Sequence, residues 1–355
     1  MQEWEAALSK RRILVTGHTG FTGAWLCRWL RKIDCEIFGL ALEPHTVPSL
    51  YHDLSADEFV ESHIQDINDA RAVMQVISSI EPDCIIHLAA QSLVHESYAN
   101  PLGTFSTNIM GTANILEAAR QTDSVKSVLC ITTDKVYRNN EWHWPYREID
   151  ELGGKDPYSA SKSAAEIVIA SYREALNSHG NKFALASARG GNIIGGGDWA
   201  ANRIVPDFVR SVMNNRDLIL RNPEATRPWQ HVLSLVHGYL MLTARLLDNR
   251  EMAEGAWNLG PNRNDAASVR TLVEALSTHW RRPSIEYQKS TLHEAQFLSL
   301  DSTKAHEVLE WKSPWEFDDV VRQTADWYSQ VVDGNQATLS VCDSQLDSYR
   351  AALGS

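Results

Sequence analysis

The segment VTGHTGFTGAWL, at residues 15–26, places three glycines between a short apolar run and a helical pattern. Gly17, Gly20 and Gly23 follow the spacing G-x-x-G-x-x-G, a relative of the loop that binds dinucleotides. Glycine lets the backbone turn tightly beside a pyrophosphate, and the helix that follows presents free N–H groups to the phosphates. An ordinary glycine-rich turn is the alternative. The glycines follow the first predicted strand of a chain in which strands and helices alternate, and this position favours a cofactor loop.

The rest of the first half alternates apolar runs with helical patterns. The apolar runs are RILVT (12–16), EIFGLAL (36–42), FVESHIQ (59–65), CIIHLAA (84–90), SVLCIT (127–132) and FALASA (183–188). Continuous apolar runs of this length, several of them separated by helices, predict parallel strands that are covered on both faces. We therefore expect an α/β fold with a Rossmann-type, doubly wound parallel sheet.

The pattern changes near residue 190, where Gly, Asn and Pro cluster before longer helical stretches. We predict a cofactor-binding domain over residues 1–190. A smaller mixed substrate domain over 191–335 is expected to share chain segments with the first. Residues 336–355 are polar and weakly patterned, and we expect a loosely ordered tail there.

Composition narrows the class of protein. The chain has 355 residues with 33 Lys and Arg against 45 Asp and Glu, a net charge of −12. This excess of acidic groups disfavours a nucleic-acid partner, and no apolar run approaches the ~20 residues that span a bilayer. The N-terminal residues lack the apolar core of a signal peptide, so we expect a cytoplasmic protein. Five cysteines without a C-x-x-C spacing predict neither a disulfide framework nor a metal site.

An acidic residue about 20 positions after the glycine loop commonly binds the adenosine ribose of NAD. Glu43 lies 20 residues after Gly23, and no Arg occurs between Arg31 and Arg71 to accept a 2′-phosphate. NAD is therefore favoured over NADP, although Glu43 could also be an ordinary solvated carboxylate. The other residues predicted to contact the cofactor are Phe21, Asp66, Ile67, Ala89 and Ala90.

Tyr158 and Lys162, in the stretch DPYSASK, are four residues apart and would share one face of a helix. An ammonium beside a phenol, with a nicotinamide nearby, would lower the pKa of the phenol and let it accept a proton from a sugar hydroxyl. The spacing Y-x-x-x-K alone is common by chance. Its occurrence downstream of a glycine-rich loop favours a catalytic pair.

The sequence ITTDKVY places three further polar candidates at the carboxyl end of a predicted strand, where open α/β sheets bind their ligands. Thr133 could orient a reacting hydroxyl. Asp134 could act as an acid if its surroundings raise its pKa. Lys135 beside an aspartate could be only a surface ion pair, and its position at the end of an inner strand argues against that interpretation.

Together these segments resemble the extended short-chain dehydrogenase/reductase superfamily and, within it, the 4,6-dehydratases that act on CDP-glucose. The resemblance rests on GHTGFTGAWL, TTDKVYRNNEWHWPYREIDELGGKDPYSASK, RGGNIIGGGDWAANRIVPD, RNPEATRPWQHVL and, more weakly, HEAQFLSLD, and runs from about Arg11 to Trp327. Lys135 points to this branch because the sister families have Glu after the aspartate. Thr22 and His95 stand where the branch would have Lys and Arg, so two cations near the phosphates are absent.

The resemblance implies a lyase that uses tightly held NAD to convert CDP-glucose into a 4-keto-6-deoxy sugar nucleotide, a precursor of surface polysaccharides such as O-antigen. Lys135 would then be the base that removes the C5 proton or a fixed cation that stabilises the enolate. The alternatives are another sugar-nucleotide dehydratase or epimerase acting on dTDP-, UDP- or GDP-sugars, and a non-catalytic NAD-binding regulator. An acid/base pair at 134–135 argues against an epimerase, and an intact set of Thr133, Tyr158 and Lys162 argues against a regulator.

The substrate itself is expected to contact residues in both halves of the chain. A guanidinium binds phosphate oxygens through two parallel hydrogen bonds, although an Arg can also be purely structural. The predicted substrate residues are Ser92, Asn192, Trp199, Arg203, Arg227 and His293. The family resemblance also implies a homodimer, and Ile109, Ala113 and Leu116 offer an apolar stripe for it unless they face the subunit's own sheet.

Overall fold

The computed structural model describes residues 2–178, 183–261, 266–288 and 298–354. Its strands are β1 (Arg12–Thr16), β2 (Glu36–Ala41), β3 (Glu61–Ile64), β4 (Cys84–His87), β5 (Ser127–Thr133), β6 (Ala184–Gly190), β7 (Ile193–Ile194), β8 (Leu218–Leu220), β9 (Thr226–Pro228), β10 (Gln230–His231), β11 (Gly255–Leu259), β12 (Ala266–Ser268) and β13 (Ile285–Tyr287).

Seven of these strands form one parallel sheet in the order β11-β6-β5-β4-β1-β2-β3. The strand order reverses direction between β1 and β4, so that the loops after these two strands diverge and leave a crevice at the carboxyl edge. The predicted α/β fold with a doubly wound parallel sheet is confirmed. The six apolar runs of the first half all supply strands of this sheet.

Helices cover both faces of the sheet. They are α1 (Glu3–Leu8), α2 (Phe21–Lys32), α3 (Leu50–Asp53), α4 (Ala70–Ile80), α5 (Val94–Ala99), α6 (Pro101–Phe105), α7 (Thr112–Gln121), α8 (Pro157–Ser178), α9 (Ile204–Asn214), α10 (Val232–Asp248), α11 (Arg250–Ala253), α12 (Val269–His279), α13 (Thr303–Val308), α14 (Phe317–Tyr328) and α15 (Thr338–Leu353). Among the described residues, no helix combines the length and apolar character that crossing a bilayer requires.

Alternate residues of β1 enter two different cores. Ile13 and Val15 pack with α2 and α10 on one face, whereas Leu14 packs with α4, α7 and α8 on the other. Successive side chains of a strand point to opposite faces of the sheet. A sheet that is buried on both faces therefore needs strands in which successive residues are apolar. Leu116 belongs to the second core and is fully buried. The predicted dimer stripe that included Leu116 is therefore wrong at this residue, which faces its own sheet.

The second half of the chain contributes to the central sheet as well as to smaller sheets. Strand β11 pairs in parallel with β6, and helix α10 packs against the same sheet. The short strands β7 with β10, β8 with β13, and β9 with β12 form three two-stranded sheets beside the crevice. The main sheet thus takes one of its seven strands from the region that was predicted to form the substrate domain.

The prediction of a loosely ordered tail is wrong, because residues 338–353 form the packed helix α15. Val341 and Leu346 are buried against the rest of the chain, and Arg28 pairs with Asp343 at 2.6 Å. Burying such an apolar side chain contributes about 1.5–3 kcal/mol, whereas a partly exposed ion pair contributes roughly 0–1 kcal/mol. Apolar packing therefore holds the helix, and its many polar residues on the outer face concealed the pattern.

Candidate active site

A cleft of about 1730 Å³ opens at the carboxyl edge of the central sheet. It brings together residues from both halves of the chain, as the sequence predicted. The predicted residues that line it are Gly17, Gly20, Phe21, Gly23, Glu43, Asp66, Ile67, Ala89, Ala90, Ser92, Thr133, Asp134, Lys135, Tyr158, Lys162, Asn192, Trp199, Arg203 and Arg227. Thr22 and His95 also line it. His293 lies outside the described residues.

The glycine loop joins β1 to α2 in a geometry that side chains would block. Gly17 has φ +74°, and a Cβ there would lie 2.8 Å from the backbone nitrogen of Ala89. A Cβ on Gly23 would overlap the carbonyl of Gly17. Gly20 occupies the N-cap of α2, so the free N–H groups of the first turn are directed toward the cleft. This cradle fits a pyrophosphate.

The rim beside this loop fits an adenosine whose ribose carries no phosphate. Glu43 is exposed at the cleft edge, just after β2, where a carboxylate can accept hydrogen bonds from two ribose hydroxyls. Thr19 Oγ1 donates to the Leu42 carbonyl at 2.9 Å and ties the loop to this edge. Ala89 N donates to Thr16 Oγ1 at 3.1 Å, which fixes the end of β4 against β1. The residues present therefore fit NAD.

Helix α8 begins at the cleft because of a strong local start signal. Asp156 accepts hydrogen bonds from Ser159 N at 2.9 Å and from Ser159 Oγ at 2.6 Å, and Pro157 occupies the first helical position. Tyr158 follows at the second position and is 8% exposed. Lys162, one turn later, is 7% exposed on the same side. The expected arrangement of this pair on one helix face is present.

Burial dominates the pKa of Tyr158 and raises it to about 12, although a hydrogen bond with Thr133 and the charge of Arg203 act in the lowering direction. The protein chain by itself therefore does not lower the pKa of Tyr158 as the sequence led us to expect. Lys162 Nζ donates to the carbonyl of Ile131 at 3.2 Å. Burial lowers the pKa of Lys162 to about 8, so the side chain is still mostly protonated at neutral pH but would lose its charge in mildly alkaline solution.

Asp134 is 2% exposed and burial raises its pKa, against the lowering effect of Lys135 and of a hydrogen bond from Thr133. Thr133 Oγ1 donates to Asp134 Oδ1 at 3.0 Å. A carboxyl group with a raised pKa can hold a proton near neutrality, as a general acid must. Lys135 is less buried, and its Nζ lies 5.9 Å from the centroid of the Tyr158 ring. The acid Asp134, the cation Lys135 and the phenol Tyr158 thus meet at one end of the cleft, which is called the reacting end below.

Two of the predicted substrate residues are joined to each other. Arg203 Nη2 donates to Ser92 Oγ at 3.4 Å, and its Nη1 donates to Asp198 Oδ2 at 3.1 Å. The charge of Arg203 also lowers the pKa of Tyr158, so the guanidinium is within electrostatic reach of the phenol. Trp199 lines the cleft edge-on to Tyr328, with ring centroids 5.4 Å apart. The segment 198–203 therefore forms one wall.

Asn192 and Arg227 approach the cleft from neighbouring short strands. The Asn192 carbonyl accepts a hydrogen bond from Gln230 N at 3.2 Å, which places β7 beside β10. Arg227 lies on β9, and its charge lowers the pKa of Asp134. Both residues therefore border the same end of the cleft as the acid.

Two acidic residues at this site were not predicted from the sequence. Asp198, which anchors Arg203, lies within the stretch RGGNIIGGGDWAANRIVPD but is not among the predicted site residues. Glu166 is buried beneath Lys162 on α8 and pairs with Arg189 at 2.7 Å. The only sequence signal for Glu166 is its spacing of four residues after Lys162. In the part of the chain that the structure describes, no group of three or more His, Cys, Asp or Glu could hold a metal ion.

Comparisons with known proteins agree with this geometry. Over 349 residues the chain is 39% identical to a CDP-glucose 4,6-dehydratase of Salmonella typhimurium, and the match covers 96% of this chain and 97% of that protein. It is similar to the solved structure of a dTDP-glucose 4,6-dehydratase of Streptomyces venezuelae (TM-score 0.77, 24% identity, 92% of this chain and 99% of that chain). The corresponding structure from Bacillus anthracis gives a TM-score of 0.76 at 20% identity, over 90% and 97% of the two chains.

Because the two solved structures have low sequence identity to this chain, their similarity shows the fold alone. The family described as GDP-mannose 4,6 dehydratase matches residues 14–324, which is most of the chain and includes all the residues of the reacting end. That span begins within β1 and ends within α14. The chain therefore belongs to the GDP-mannose 4,6-dehydratase family, within the extended short-chain dehydrogenase/reductase superfamily.

Proposed function

We propose that this protein is an NAD-dependent CDP-glucose 4,6-dehydratase, a lyase that forms CDP-4-keto-6-deoxyglucose. The observation that carries the proposal is that Lys135 follows the buried Asp134 in the chain and that its Nζ lies 5.9 Å from the centroid of the Tyr158 ring. Sister families that act on dTDP-glucose or GDP-mannose would have Glu in place of Lys135. The relative with 39% identity, whose name specifies CDP-glucose, supports the same substrate.

The glycine loop and the N-terminus of α2 would hold the pyrophosphate of NAD, and Glu43 would bind its adenosine ribose. Asp66, Ile67 and Ala90 line the cleft and would contact the adenine. When bound there, NAD supplies an acceptor for hydride from C4 of the sugar and a donor of hydride to C6. All other steps are assigned to side chains of this chain.

In the first step Tyr158 accepts the proton of the C4 hydroxyl. Thr133, whose hydroxyl is close to Tyr158 and to Asp134, orients that hydroxyl. Because burial keeps the pKa of Tyr158 high, the phenolate needs nearby positive charge. Lys162 and the nicotinamide ring can supply it, and Arg203 contributes from the opposite wall.

In the second step the 4-ketone acidifies the C5 hydrogen and water leaves across C5 and C6. Asp134 donates its proton to the departing C6 hydroxyl, which its raised pKa permits. Lys135 acts on the C5 side, either as the base that takes the C5 proton or as a fixed cation beside the developing enolate, in which case water takes that proton. Arg203 and Arg227 would hold the diphosphate, while Ser92, Asn192 and Trp199 would contact the sugar.

A substrate panel tests the proposal. We would incubate the purified protein with CDP-glucose, dTDP-glucose, UDP-glucose and GDP-mannose, and follow the alkali-induced absorbance of 4-keto sugars together with loss of one water by mass spectrometry. The expected result is conversion of CDP-glucose with the highest kcat/KM. Preference for another nucleotide would reject the substrate, and epimerised product would reject the reaction. NAD binding without conversion of any sugar would favour a regulator.

We also propose a homodimer that pairs α8 with the neighbouring segment that ends in α7. Leu102, Met110 and Ile167 lie on adjacent elements of this side and are more than half exposed, which is unusual for large apolar side chains. The variant Ile167→Glu should be a monomer by light scattering at micromolar concentration. Ile149→Glu, at an exposed isoleucine elsewhere, should keep the mass of a dimer. A monomeric wild-type protein would reject the proposal.

We propose a cytoplasmic location and a place in the synthesis of deoxy sugars for surface polysaccharides such as O-antigen. All five cysteines are free and buried, a state that suits a reducing compartment. Cell fractionation with antibody detection tests the location. Recovery in the periplasmic or membrane fraction would contradict it.

A further inference from the structure

Glu166 and Arg189 form an ion pair beneath the floor of the cleft. Arg189 Nη2 lies 2.7 Å from Glu166 Oε2, and the two residues are only 3% and 4% exposed. Removing two charges from water is costly, and the attraction between them offsets that cost only when further hydrogen bonds satisfy both groups. Such a pair is weak evidence for stability by itself, so its surroundings decide what it does.

Both oxygens of Glu166 are bonded to the two central strands. Oε1 accepts from Thr132 Oγ1 on β5 at 2.5 Å, and Oε2 accepts from Ser187 Oγ on β6 at 2.9 Å as well as from Arg189. Arg189 Nη1 in turn donates to Tyr137 Oη at 2.8 Å. Thr132 and Arg189 are direct partners in the β5–β6 register. One carboxylate therefore connects helix α8 to both strands.

These bonds act on the residues that carry the reaction. Lys162 Nζ donates to the carbonyl of Ile131, and Glu166, one turn further along α8, accepts from the hydroxyl of Thr132. Two successive residues of β5 are thus tied to two successive turns of the helix. Thr133, which orients the reacting hydroxyl, is the next residue of β5. The helix cannot slide along the strand without breaking both bonds.

The pair also contributes to the charge environment of Lys162. Burial lowers the pKa of Lys162, and the charges of Cys130 and then of Glu166 act in the raising direction. The titratable or charged groups around Lys162 come from several elements. They are Glu166 and Tyr158 on α8, Cys130 on β5, His87 on β4 and, through Glu166, Arg189 on β6.

We propose that Glu166, held by Arg189, is a positioning residue that keeps Lys162 protonated and fixes it in register with Thr133. The inference rests on the proposed function for the role of Lys162, but not for its protonation. A neutral residue at 166 would remove a carboxylate that favours the ammonium of Lys162, and it would leave Arg189 without its ion-pair partner. Loss of the carboxylate favours the neutral amine.

The direct test is NMR of the cofactor-free protein labelled with 13C at the ε-carbon of lysine, with the signal of Lys162 assigned by Lys162→Arg. In Glu166→Gln the titration midpoint of Lys162 should fall by roughly 1–3 pH units. Glu5→Gln is the matched control, because Glu5 is also buried and binds Arg350 through two hydrogen bonds of 2.9 Å, away from the cleft. An equal midpoint in the two variants would overturn the proposal.

Turnover gives a second readout. Activity that needs protonated Lys162 is lost as pH rises through its pKa, so in Glu166→Gln the alkaline limb of kcat should move to lower pH, with KM for the sugar nucleotide little changed. Glu166→Asp, which retains the charge, should restore the limb. A limb at the wild-type pH in Glu166→Gln would contradict the positioning role.

An unpaired Arg189 could prevent Glu166→Gln from folding. The double variant Glu166→Gln with Arg189→Gln removes both charges and leaves no buried ion without a partner. Its Lys162 midpoint should still fall, because the carboxylate that favours the ammonium is absent, and an unchanged midpoint would reject the inference. A lowered midpoint in a protein that converts none of the sugar nucleotides would uphold the inference and reject the proposed function.

Discussion

The two ends of the cleft differ in how they treat charge. At the reacting end Asp134, Tyr158 and Lys162 are nearly excluded from water, and burial is the largest cause of the shift in the pKa of each. At the other end of the cleft, where the adenosine ribose would bind, Glu43 is exposed to water. Charges act more strongly where water is excluded. The buried end is therefore suited to proton transfer, and the open end to binding charged groups at low cost.

The largest expected effect tests the buried end at its proton acceptor. Tyr158→Phe keeps the ring but removes the hydroxyl, and turnover should fall by about 10²–10⁴-fold, the usual contribution of a general base. Binding of CDP-glucose, measured by calorimetry, should persist. Tyr172→Phe, further along the same helix where the hydroxyl donates to Glu117, should keep normal turnover. Near-normal turnover by Tyr158→Phe would remove Tyr158 from the mechanism.

Lys135 separates the first step from the elimination. Lys135→Ala should still form enzyme-bound NADH, seen by absorbance, but release product more slowly by on the order of 10²-fold. Exchange of the C5 hydrogen with deuterated solvent should also be lost. Lys135→Arg distinguishes the two roles, because a fixed cation would retain part of the activity whereas a base would not. Failure already at NADH formation would contradict the elimination role.

Arg227 tests binding of the diphosphate, and the effect of changing it should appear in KM. A charge-assisted hydrogen bond contributes about 1.5–3 kcal/mol, so Arg227→Met should raise KM for the sugar nucleotide by roughly 10–100-fold with a small change in kcat. Arg227→Lys retains the charge but not the two parallel hydrogen bonds of a guanidinium, so its KM should lie between those of the wild type and Arg227→Met. A loss confined to kcat would instead assign Arg227 to the chemistry near Asp134.

Glu43 should give the smallest effect because it is exposed. Glu43→Gln keeps one acceptor oxygen, and affinity for NAD should fall by no more than about tenfold, the equivalent of one hydrogen bond. Affinity for NADP should rise, since the repulsion of a 2′-phosphate is removed. Titration of the apoprotein with each cofactor measures both. Stronger binding of NADP than of NAD by the wild-type protein would contradict the assignment.

Local spacing predicted the parts of the site that lie within one element or one turn. The glycine loop follows from Gly17 and Gly23, because only glycine fits at these two close approaches. The pairing of Tyr158 with Lys162 follows from the helical repeat. The packing of α15 could not be predicted in this way, since its buried stripe is short and its partners are far away in sequence.

The sequence by itself determined the α/β fold, the cofactor loop and the positions of Thr133, Tyr158 and Lys162, because these depend on residue types at short, fixed spacings. Only the tertiary structure decided the charge of these groups and what holds them. The raised pKa of Asp134, the link of Arg203 to Ser92, and the pair of Glu166 with Arg189 join segments that are 23 to 111 residues apart, or depend on burial by such segments. Burial and electrostatic interaction depend on distance in space, which the order of residues along the chain does not reveal.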